Sequence, residues 1–96
     1  MSKVYQVVIY TSIFDETKLA NYAALAGPAM QAAGAKFLAR GVPIAVKEEG
    51  LKTRTVVIEW ESMNAAEKGY ASEGYQKALA ALDGGAIREF RYVEAA

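Results

Sequence analysis

The stretch Thr53–Leu82, TRTVVIEWESMNAAEKGYASEGYQKALAAL, decides the fold. Its opening Thr55-Val56-Val57-Ile58-Glu59-Trp60 is dominated by β-branched and aromatic residues, the types that suit a pleated, half-buried strand. Ser62 follows with a side-chain oxygen able to accept from the free N–H groups of a helix start. Met63, Ala66 and Tyr70 then recur at spacings of three and four. Ser72 offers a second cap, after which Tyr75, Ala78, Leu79 and Leu82 share one helical face. A strand and a two-part helix therefore form the unit against which the remaining chain packs.

Upstream, Lys3 to Thr11 reads as a first strand with Tyr5, Val7 and Ile9 on one face and Val4, Gln6, Val8 and Tyr10 on the other. Asp15 is the expected cap of a helix carrying Leu19, Tyr22, Ala23, Ala26, Met30 and Ala33 as its stripe. Pro28 is expected to kink it and Gly34 to end it. Ala35 to Arg40 predicts a second strand, interrupted by Gly41 and Pro43 and resumed in extended form from Ile44 to Glu48, as on a sheet edge. Asp83-Gly84-Gly85 predicts a turn into a last strand, Ala86 to Glu94. The order β-α-β-β-α-β predicts an α+β, ferredoxin-like domain over residues 1–96. It has a four-stranded antiparallel sheet in the order 4-1-3-2 and two helices on one face.

A sheet covered by helices on one side should alternate apolar and polar residues. Here both central strands are apolar on both sides. Leaving Val4, Val8, Tyr10 and Val57 in water would forfeit roughly 1.5–3 kcal/mol for each large side chain. A homodimer joined through its sheet faces is the expected remedy.

Lysine plus arginine total 11 and aspartate plus glutamate 11, so no charge excess points to nucleic acid or an anionic membrane as partner. No apolar run reaches the roughly 20 residues that span a bilayer. Met1-Ser2-Lys3 leads directly into a strand pattern, and a cytoplasmic protein is expected. Cysteine and histidine are both absent, which removes disulfides, thiolate nucleophiles, imidazole bases and the usual ligands for zinc and haem. No metal or cofactor is expected.

Read together and in order, the segments GAKFLARG, EEG, RTVVIEW and SEGYQKAL resemble domain-of-unknown-function family 1330, within the dimeric α/β-barrel superfamily of ferredoxin-like domains. The resemblance runs over almost the whole chain and implies the fold and the dimer. The chain departs from the family pattern at Gly34-Ala35, at Trp60-Glu61 and at Leu82, where the family commonly has an arginine. Any family site that uses this arginine is incomplete here.

Among residues able to carry chemistry, Arg40 and Arg54 match family positions on strands and present the planar fork suited to a carboxylate. An ion pair with Glu48, Glu49 or Glu59 is the structural alternative. By strand parity Arg54 faces the helices with Val56, Ile58 and Trp60, while Glu59 lies opposite with Thr55 and Val57. Tyr22 and Tyr75 lie on inward stripes, able to fill the core while their hydroxyls reach a polar partner. Glu59 and Gln6 are expected to meet on the dimer face, which would make Glu59 the one sensible general base. The ligand expected at Tyr22, Arg54 and Tyr75, with Arg40 alongside, is a small anionic or aromatic molecule. Two functions fit. One is a dimeric binding or accessory protein with a small-molecule pocket. The other is a cofactor-independent enzyme of monooxygenase, isomerase or decarboxylase type, a reading that rests on fold analogy.

Overall fold

The strand and helix signals fold as β1 (Val4–Ile13), α1 (Glu16–Ala32), β2 (Lys36–Gly41), β3 (Thr55–Trp60), α2 (Met63–Ala71), α3 (Glu73–Leu82) and β4 (Ala86–Glu94). The computed structural model describes residues 2–96. The sheet is antiparallel in the order β2-β3-β1-β4, the expected 4-1-3-2 arrangement read from the other edge. Among the described residues, no helix is long and apolar enough to cross a membrane.

Each helix begins at the residue whose side chain can satisfy its first N–H groups. Asp15 accepts from the backbone N–H of Lys18 at 2.9 Å and Ser62 from Ala65 at 3.1 Å. Ser72 accepts from Tyr75 at 3.2 Å while its hydroxyl donates to the Gly69 carbonyl at 2.7 Å. Its extended ψ of 149° divides the expected second helix into α2 and α3, so the sheet carries three helices where two were expected. Lys18 donates to the Asp83 carboxylate at 2.9 Å, tying the first turn of α1 to the end of α3.

Three local expectations are corrected. The helix α1 continues unbroken through Pro28, which is exposed, so the carbonyl that proline cannot serve lies on the hydrated side. Ile44 to Glu48 joins no ladder: both sides of β3 are already taken by β1 and β2, and Pro43 has no N–H to offer the outer edge of β2. Finally, Val4, Val8 and Tyr10 lie in the core, not on the open face. Register pairs Val4 with Trp60, Gln6 with Ile58 and Val8 with Val56, so this whole set faces the helices.

The open face consequently carries Tyr5, Val7, Ile9 and Val57, all half-buried, with Ile87 and Val93 on β4 more than half exposed. The same register separates Gln6 from Glu59. The amide of Gln6 is fully buried under the helices, where its Oε1 accepts from the indole Nε1–H of Trp60 at 2.9 Å. Glu59 stands on the other side of the sheet, paired with Lys3 at 3.5 Å. The expected Gln6–Glu59 meeting does not occur, because residues of unlike parity on paired strands point to opposite faces.

Candidate functional site

Between α1 and the sheet lies a small cavity of about 50 Å³, and Tyr22, Arg40 and Arg54 all line it. Tyr75, from α3, reaches the same region through its hydroxyl, 2.8 Å from that of Tyr22. Four of the five expected site residues are thus brought together; Glu59, on the far face, is not.

The residue that organises this cluster is Arg88, on β4, which sequence reading did not single out. It lies opposite Tyr10 in the ladder and donates through Nη1 to the Tyr22 hydroxyl at 2.8 Å. Its guanidinium carbon sits 4.6 Å from the Tyr22 ring centroid, 4.7 Å from Phe90 and 5.7 Å from Tyr10, within cation–π range of all three. A signal for it existed: Arg88 is a charge on the strand face that otherwise carries Ala86, Phe90 and Tyr92.

The protons of this cluster follow from counting donors. Guanidinium only donates, so the Tyr22 oxygen accepts from Arg88. Tyr75 is fully buried, and among the described residues its hydroxyl has Tyr22 as its one partner. If Tyr22 donated to Tyr75, the Tyr75 proton would be stranded in the core at a cost of about 1–3 kcal/mol. Tyr75 therefore donates to Tyr22, and the remaining Tyr22 proton is left for the cavity. Burial and the adjacent Tyr22 oxygen hold the Tyr75 phenol above its ordinary range, against the opposing pull of Arg88, so it is a donor and not a base. Burial alone would lower the affinity of Arg88 for its proton, but the oxygens of Tyr22 and Tyr75 outweigh it and raise it.

Arg40, Arg54 and Arg88 all line this cavity, and no aspartate or glutamate does. Among the described residues none of the three forms an ion pair, so the expected pairing of Arg40 or Arg54 with a glutamate is not what holds them. Arg40 instead lies over the Phe37 ring at 5.1 Å and Arg54 over Tyr10 at 5.7 Å.

A second concavity, open and about 800 Å³ in volume, runs between α2 and β4. Tyr70, Phe90 and Tyr92 give it aromatic walls, Leu82 lines it where the family arginine would stand, and Arg88 borders it as well as the inner cavity. Tyr70 meets Phe90 edge-to-face with centroids 6.2 Å apart. Glu67 is the one carboxylate of its lining. Burial, reinforced by Tyr70 and Glu67, pushes the Tyr92 phenol up to about 12.

Residues 3–96 match the model of the family described as Domain of unknown function (DUF1330). The chain belongs to that family. Among curated proteins, none matches it. Solved structures similar to this DUF1330 chain share its fold at low identity. A protein of unknown function from Rhodopseudomonas palustris superposes with a TM-score of 0.76 at 12% identity, over 99% of this chain and 83% of the other. A dimeric ferredoxin-like protein of unknown function from Jannaschia sp. gives 0.71 at 11% identity, over 97% and 99%. SnoaB, a cofactor-independent oxygenase from Streptomyces nogalater, gives 0.69 at 16% identity, over 100% and 95%. The ferredoxin-like α+β architecture agrees with the dimeric α/β-barrel superfamily.

Proposed function

We propose that this DUF1330 protein is a cytoplasmic homodimer that binds a small aromatic or enolic acid, without a cofactor, in the groove between α2 and β4. Arg88 carries the reading. It is a half-buried guanidinium in the groove wall with no carboxylate partner among the described residues, beside aromatic rings suited to a flat ligand. A volume of about 50 Å³ cannot take a benzene-sized ring, which needs a cavity of about 150 Å³. The body of such a ligand therefore belongs in the larger groove, with its charged end toward Arg88. Calorimetric titration with a panel of hydroxybenzoates and their neutral amides tests this. Acids should bind at least about tenfold more tightly than amides, and Arg88→Met should erase the difference, since a hydrogen bond to a charged group contributes about 1.5–3 kcal/mol. Equal binding of acids and amides overturns the reading.

The homodimer rests on the open sheet face. Four strands about 4.8 Å apart present a face about 19 Å wide, and an interface of ordinary size covers about 800 Å² per partner. With Val7 and Val57 in register at its centre and Tyr5, Ile9, Ile87 and Val93 around them, this face suits a second copy. Val57→Lys should give the monomer mass in sedimentation at micromolar concentration, where the parent gives twice that mass. A parent that sediments as a monomer refutes the dimer.

A catalytic reading of oxygenase, isomerase or decarboxylase type draws on one observation, Glu67 in the same groove as Arg88. It requires turnover of a bound acid that Glu67→Gln abolishes while binding persists.

A further inference from the structure

The inner cavity under α1 carries an inference that stands apart from the groove. Its unsatisfied polar atoms are donors. Gln6 is fully buried, and its orientation is fixed because the indole N–H of Trp60 can only donate, so Oε1 must be the atom that accepts it. The amide nitrogen Nε2 is then left buried with no partner. The Nε of Arg54 is also buried and unpartnered, and Gln6 and Arg54 both line the cavity. The Tyr22 proton, freed by the accounting above, is a third donor at the same place. Each stranded donor costs about 1–3 kcal/mol, so three around one space call for an occupant that only accepts.

Charge sharpens the choice. Three arginines line the cavity with no carboxylate, in a chain whose formal net charge is zero. Water fits the space, but it brings two protons of its own to a site already rich in donors. A volume of about 50 Å³ is less than twice the roughly 30 Å³ share of one liquid water, which excludes sulfate with a hydration shell and any ring. We infer that the cavity between α1 and the sheet is a site for one compact monoanion, a halide or an ion the size of formate, held by Gln6 Nε2, Arg54 and the Tyr22 hydroxyl. This site needs no occupant of the α2–β4 groove.

The test replaces sodium gluconate, too bulky to enter, by sodium bromide at constant ionic strength and follows thermal unfolding of the full chain. Linkage predicts a rise of roughly 5–10 °C for each tenfold increase in bromide beyond its Kd. Crystals grown in bromide should show an anomalous peak between Gln6 and Arg54. Gln6→Glu keeps an acceptor for Trp60 and supplies the negative charge itself, so the bromide dependence should vanish. Arg54→Gln should weaken bromide at least about tenfold, and it carries the test should Gln6→Glu not fold. No bromide shift and no peak, or the same shift in both variants, overturns the inference and leaves water as the occupant. Bromide binding without aromatic-acid binding sinks the groove reading alone, and the converse sinks this one alone.

Discussion

Removing the hydroxyl of Tyr22 should cost more than removing that of Tyr75, and removing both should cost less than removing the first alone. Tyr75→Phe deletes one neutral hydrogen bond and strands nothing, because the Tyr22 oxygen keeps Arg88 as a donor; the expected loss is about 1 kcal/mol. Tyr22→Phe does two things. It takes away the acceptor of Arg88, worth about 1 kcal/mol once the half-buried guanidinium turns part of its donors to water. It also leaves the Tyr75 O–H in a fully buried position with no partner, adding about 1–3 kcal/mol. The sum is about 3 kcal/mol. Adding Tyr75→Phe to that background removes the stranded donor and should return about 1–2 kcal/mol, a coupling within the range seen between residues in contact. Urea denaturation of the four proteins, with matched m-values, reads the cycle. If the double variant is less stable than Tyr22→Phe alone, the proton assignment is wrong and Tyr22 is not the free donor of the cavity.

Two further perturbations follow from the packing. A Cβ on Gly69 would come within 2.5 Å of the Trp60 ring and 3.3 Å of Ala33, and Trp60 is fully buried with its indole tied to Gln6. Gly69→Ala should therefore lose about 1–2 kcal/mol in urea despite the roughly 1 kcal/mol that alanine gains in a helix; an unchanged midpoint would mean that α2 does not rest on Trp60. In alkali the native state holds the Tyr92 proton to about 12 and the Tyr75 proton higher still, whereas an unfolded tyrosine releases it near 10. Above pH 10 the unfolded chain binds fewer protons than the native one, so stability falls as pH rises through 10 to 12 and is unaffected by these groups below 10. Melting temperatures taken from pH 9 to 12 should show that fall, and Tyr92→Phe should reduce it; a flat profile in the parent refutes the shifts.

Much of the fold was legible because local chemistry and global topology agree. Asp15, Ser62 and Ser72 are short polar residues placed just before apolar periodicity, and each caps the helix it was expected to cap. The bounds of β4 were readable from the turn glycines before it and the alternation within it. The facing of β1 was harder. Its two residue sets, Val4-Gln6-Val8-Tyr10 and Tyr5-Val7-Ile9, are almost equally apolar, and periodicity gives the pairing of side chains but not which set turns inward. That ambiguity put Val4, Val8 and Tyr10 on the wrong side and joined Gln6 to Glu59. Arg88 escaped notice for another reason. It gains its meaning from Tyr22, 66 positions away, and no short motif records a contact made only when β4 pairs with β1.

The division of the second helix at Ser72 has a dynamic consequence. A helix is held to its domain by what it buries, and α2 buries only Ala66 and Gly69, whereas α3 buries Tyr75, Ala78 and Leu82. Because Ser72 leaves the helical conformation between them, the two are hinged at one residue instead of sharing a continuous ladder of backbone bonds. Lifting α2 then breaks little more than two small side-chain contacts and its own cap, while the hydrophobic nucleus around Tyr75 and Trp60 stays closed. The segment that forms one wall of the groove is thus the segment with the lowest free energy of local opening, and the aperture beside Arg88 can widen by thermal fluctuation without unfolding the domain.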